Sequence, residues 1–130
     1  MKVSSLNIAI LFSLIVNCAY YSQPIITNEQ IISIGLINSS IYNIKKINEN
    51  IYGAVGATMN DGHENMFFAK FAMDRLIFAK EFISENGCVA RDFEKTSEDG
   101  FIIVGDKLGV GSIIKTDEDG DTVWTKLINV

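Results

Sequence analysis

From residue 41 onward, short runs rich in β-branched and aromatic residues alternate with clusters of Gly, Asn, Asp and Ser. Runs of this length and composition, closed by residues that tolerate turn conformations, are the pattern of short antiparallel strands. The pattern predicts strands over 41–47, 51–57, 65–71 and 76–83, and again over 88–95, 101–106, 111–116 and 122–128. The expected class is all-β.

The two sets of four are related. Ile44 through Gly56 lies over Phe93 through Gly105 at a constant separation of 49 residues, which pairs Lys46 with Lys95, Glu49 with Glu98, Val55 with Val104 and Gly56 with Gly105. Met66-Phe67-Phe68-Ala69-Lys70 lies over Gly111-Ser112-Ile113-Ile114-Lys115 at a separation of 45, and Ile77 through Phe82 over Val123 through Ile128 at 46. The last alignment pairs Phe78 with Trp124 and Lys80 with Lys126. The change of separation is read as a shorter loop in the second copy. A period of 45 to 49 residues carrying four short strands implies one four-stranded antiparallel unit per copy.

The second copy runs Glu98-Asp99-Gly100-Phe101-Ile102-Ile103-Val104-Gly105, then Ser112-Ile113-Ile114-Lys115-Thr116-Asp117-Glu118-Asp119-Gly120-Asp121, then Val123-Trp124-Thr125-Lys126. It resembles the β-propeller repeats of secreted and cell-surface bacterial proteins. In those repeats an Asp-Gly turn enters an apolar strand ending in Gly, a strand ending Ile-Lys-Thr-Asp follows, and a glycine hairpin leads into Trp-x-Lys. The first copy departs from the pattern: Phe78 replaces the Trp, and Lys70-Phe71-Ala72-Met73-Asp74-Arg75 lacks the hairpin glycine.

The resemblance implies two consecutive blade-like units, 41–87 and 88–130, in a partial propeller. Phe101-Ile102-Ile103-Val104 is then expected to be an inner strand covered on both faces, Trp124 and Phe78 to pack between blades, and Gly56 and Gly105 to end equivalent strands. Two blades cannot close a ring that needs four to eight. A fragment of a longer product, a ring of copies, or two sheets packed face to face remain open. The first is favoured because Ile128-Asn129-Val130 follows directly on a fourth strand.

Between Lys2 and Glu29 there is no charged residue, and Ile8 through Val16 is densely apolar. That reads as a secretory signal peptide over 1–22, too short for a span of about 20 apolar residues. An uncleaved anchor is the alternative. Cys18 stands where a lipoprotein carries its acylated cysteine, although Asn17 before it departs from the small residue usual there. Residues 23–40 are expected to form an arm or the outer strand of a partial blade. Cys88 is the remaining thiol and is expected to be a small buried hydrophobe.

Composition narrows the chemistry. In 130 residues the formal net charge is −5, which gives no electrostatic footprint for nucleic acid. A single histidine, His63, and two cysteines cannot furnish a Cys/His zinc site. Thr116 through Asp121 alternates carboxylates as a calcium loop does, but counting from Asp117 the sixth and twelfth positions are Thr122 and Ile128, so a hairpin turn is expected instead. Asn60-Asp61-Gly62-His63-Glu64-Asn65 is the longest insertion relative to the second copy and is expected to be an exposed polar loop. No residue is assigned to catalysis, cofactor or metal. The expected function is a non-catalytic, secreted or surface-attached binding or structural module for a protein or carbohydrate ligand. The alternative is a piece of a propeller-scaffolded hydrolase or lyase whose active residues lie in other blades.

Overall fold

A computed structural model of the chain describes residues 33–36, 38–85 and 87–129. The expected signal peptide over 1–22, with Cys18, and most of the expected arm over 23–40 lie outside the described residues.

Eight strands follow one another: β1 (Ser39–Asn48), β2 (Ile51–Asn60), β3 (His63–Ala72), β4 (Leu76–Phe82), β5 (Val89–Lys95), β6 (Phe101–Lys107), β7 (Val110–Thr116) and β8 (Thr122–Asn129). They form two four-stranded antiparallel sheets in sequence order, β1-β2-β3-β4 and β5-β6-β7-β8. Each pairs neighbours only, so neither sheet closes.

The turns explain the register. Asp61-Gly62 joins β2 to β3 with φ of 48° and 79°, and Leu108-Gly109 joins β6 to β7 with 50° and 82°. Two consecutive left-handed residues make the tight hairpin whose twist matches that of paired strands. The four extra residues of the first copy therefore do not form a loop. They add two residues to each strand at the turn, part of the reason that β2 and β3 run to 10 residues each against 7 in β6 and β7, and the polar segment around His63 is strand beyond its two-residue turn.

Gly56 and Gly105 stand inside their strands, not at the ends, and what they provide is close backbone approach. A Cβ on Gly56 would collide with the Ser40 carbonyl oxygen, and one on Gly105 with that of Val89. Each faces an irregularity in the preceding strand, at Tyr42 beyond the Ile41–Gly56 pair and at Arg91 beyond the Ala90–Gly105 pair. A β-bulge at the same repeat position in both sheets gives both the same local bend.

The sheets pack face to face. Val55, Met66 and Phe68 of the first meet Ala90, Phe93, Phe101, Ile103 and Ile114 of the second, with Cys88 from the connecting segment and Ile47, Phe78 and Phe82 at the margin. Phe68 is the hub, its ring centroid 4.8 Å from Phe101, 5.0 Å from Phe93 and 5.5 Å from Phe78. Offset and edge-on geometries at these distances add to the burial of large apolar area. Gly53 leaves room for Phe93, whose ring occupies the space a Cβ would take. Beside this core, β1 and β5 are tied by Lys45, which donates to Asp92 at 2.7 Å, Glu94 at 3.2 Å and the Phe93 carbonyl at 3.0 Å.

Candidate docking surface

The strand pleat sends Phe101, Ile103 and Gly105 toward the first sheet and Ile102, Val104 and Asp106 to the opposite face. Phe101 and Ile103 are buried, whereas Val104 is 36% exposed and Ile102 half-buried. The expectation that this strand is covered on both faces is therefore corrected: one face is open. Ile113 on β7 and Trp124 and Ile128 on β8 share that face, as their pairing with β6 and β7 shows. Trp124 is 44% exposed, so the expected burial between sheets does not hold for it.

Its counterpart Phe78 does pack between the sheets. Phe78 meets Phe68 edge-on, and the β7–β8 hairpin closes over it, so that a Cβ on Gly120 would lie 2.6 Å from its ring and 3.1 Å from Lys80 Cγ. Lys80 then donates to Asp121 at 2.7 Å, and Lys70 lies 5.9 Å from the Phe78 centroid and 5.6 Å from that of Phe101. The difference between Phe78 and Trp124 is what lies opposite. The second sheet covers the first, and nothing among the described residues covers the second.

The hairpin that seats on Phe78 is the acidic segment 117–121. Asp117 Oδ1 accepts from the backbone N–H of Asp119 at 3.0 Å and of Asp121 at 2.8 Å, and its own N–H donates to the Asp121 carbonyl at 2.9 Å. Gly120, with φ of 82°, takes the left-handed corner. These carboxylates diverge, Asp117 inward as the loop's acceptor and Asp121 outward to Lys80. Among the described residues no group of three or more His, Cys, Asp and Glu side chains converges as metal ligands.

A polar cluster at the far end of the first sheet leaves a single trace in the repeat comparison. Thr58 Oγ1, Asn60 Nδ2 and Asn65 Nδ2 all donate to Glu81 Oε1, the two amides at 3.2 and 3.1 Å, while Asn65 Oδ1 accepts from the Ser84 N–H. It exists because β2 and β3 extend past their counterparts, and its hint in the sequence is that Glu81 stands where the second copy has Leu127. Three donors on one oxygen pin the end of β4 to the long hairpin. His63 and Asp61 stand exposed beyond it.

Cys88 is buried within the core cluster, and burial pushes its thiol above the usual value, with Asp106 adding to the shift against Lys107 and Ser112. It serves as packing.

No protein-family model, curated protein or solved structure matches this chain.

Proposed function

We propose that the chain is a β-propeller-type repeat segment, exported to the cell surface or medium, which serves as a non-catalytic binding or structural module. The observation that carries this reading is the agreement between repeat and packing. Val55, Phe68, Phe78 and Phe82 on the covered face of the first sheet are the repeat counterparts of Val104, Ile113, Trp124 and Ile128 on the open face of the second. Units that bury one face on the next and repeat that face are quasi-one-dimensional arrays, in which each unit is stable through its neighbours. Sheets arrayed radially in this way build propellers. Export is supported by the uncharged, apolar-centred segment before Glu29.

The test is the intact mass and compartment of the native protein in its own cells. Recovery from the surface or medium, either without residues 1–22 or within a larger product, supports the reading. Recovery from the cytoplasm with the leader attached contradicts it.

A further inference from the structure

The open face of the second sheet is described by the interface its counterpart already makes. Three features hold the covered face of the first sheet: apolar side chains at Val55, Phe68 and Phe78, a hairpin glycine over the Phe78 ring, and an acid beside that glycine paired with Lys80. The open face repeats the receiving half, with Val104, Ile113 and Trp124 as the apolar surface and Lys126 at the position of Lys80. Lys126 lies on the exposed strand β8 and makes no ion pair among the described residues.

A second copy of the chain, joined head to tail through its first sheet, is the simplest occupant, and the sequence is built against it. In the first copy this hairpin is one residue shorter and holds no glycine, and Arg75, whose carbonyl accepts from Ala72 N–H as that of Asp121 does from Asp117 N–H, stands in place of Asp121. Where a single Cβ on Gly120 would already press into the Phe78 ring, a hairpin built of Met73, Asp74 and Arg75 brings side chains to the larger Trp124. Arg75 would meet Lys126 with like charge, where Asp121 meets Lys80 with opposite charge. An element that repels the wrong partner is how specific interfaces discriminate, and a heterologous face left unprotected invites open-ended fibres.

We propose that the face formed by Val104, Ile113, Trp124 and Ile128 docks a further four-stranded sheet carrying a Gly-acid hairpin, whose glycine seats on Trp124 and whose acid pairs with Lys126. This rests on the propeller-type reading and adds the identity of the neighbour. Ile102 and Ile113 replace Gly53 and Phe68, so bulk moves from one strand to the next and the incoming residue at the position of Phe93 is smaller than phenylalanine.

The experiment joins an added copy of residues 83–128 directly after Ile128 of the full chain, with Phe93→Val and Trp124→Phe in the added copy, so that Trp124 of the chain remains the sole tryptophan. Acrylamide quenching of Trp124 is expected to fall several-fold relative to the unextended chain, with the extended chain monomeric by sedimentation. Asp121→Arg in the added copy restores quenching, and adding Lys126→Glu in the second sheet recovers the protection. A Trp124 that stays fully quenched overturns the proposal, whether the added sheet is protease-resistant or not, because the face is proposed to template it. Protection of Trp124 that appears in the unextended chain on raising its concentration also overturns it, in favour of a second copy. The propeller-type reading is checked separately in the unextended chain with Phe78→Trp and Trp124→Phe. If that tryptophan is shielded while Trp124 in the extended chain is not, only the docking proposal fails. If it is as exposed as Trp124, the stacking reading fails as well.

Discussion

Val55 and Val104 occupy the same position in successive repeats, 49 residues apart, yet Val55 is completely buried and Val104 is 36% exposed. The two strands carry similar sequences, and their environments differ because only the first has a sheet laid over it. Burial here is a property of the neighbour. The energetic asymmetry of the molecule follows from that.

Phe68 and Ile113 provide the sharpest contrast. Removing the Phe68 ring leaves a cavity at the centre of the aromatic cluster, and Phe68→Ala is expected to destabilise by about 3–5 kcal/mol. Ile113→Ala, at the equivalent position on the open face, is expected to cost about 1 kcal/mol or less. Urea unfolding of both variants measures the difference.

Gly105→Ala and Gly56→Ala are expected to destabilise by about 1–3 kcal/mol each, because the added methyl meets a backbone carbonyl that cannot move without opening the strand pair. Gly111→Ala is the control: its nearest neighbour would be Ile128 O at 3.6 Å, an ordinary contact. Thermal unfolding of the three variants compares them directly.

Most of the strand pattern was legible in the sequence because the turns announce themselves. Asp61-Gly62, Asp99-Gly100 and Gly120 mark hairpins by residues suited to left-handed backbone, and all eight strands begin within two residues of the expected positions. The length of β2 and β3 was not legible, since a two-residue turn inside a polar stretch looks like a loop until the pairing of Asn60 with His63 is known. The exposure of Trp124 was hidden for a different reason. The repeat reports what a residue is suited to contact, and whether the contact is made depends on a partner outside the repeat. The Glu81 cluster was not legible beyond the exchange of Glu81 for Leu127, because Thr58, Asn60 and Asn65 converge on it from two other strands.

The Lys45–Asp92 pair sets a modest pH response. The hydrogen bond from Lys45 holds the Asp92 carboxyl below its ordinary value of 3.8, helped by the Phe93 N–H, against the opposing effect of desolvation. A depressed carboxylate contributes stability that is fully present above its unfolded pKa and is lost as pH falls through the folded one. The same hydrogen bond raises Lys45 above 10.5, so that its contribution is present below that value and fades as pH rises through the higher folded one. Both groups are partly exposed, which limits the pair to under about 1 kcal/mol. Asp92→Asn is expected to flatten the acid limb of stability, as read by urea midpoints from pH 5 down to about pH 3.

Cys88 is expected to react with a thiol reagent at neutral pH far more slowly in the folded protein than in guanidinium, since burial both shields the sulfur and disfavours the thiolate. Stopped-flow labelling with Ellman's reagent, in a Cys18→Ser variant so that Cys88 is the one thiol, measures the ratio. Equal rates in the two states would place Cys88 outside the core.

The central claim is that one face recurs in both sheets and is covered in only one. Moving the sole tryptophan between its two repeat positions tests it most directly. Acrylamide quenching is measured for the native chain, with Trp124, and for the double variant Phe78→Trp with Trp124→Phe. The account predicts free quenching at position 124 and several-fold protection at position 78, beneath the Gly120 hairpin. Equal quenching at the two positions would contradict it.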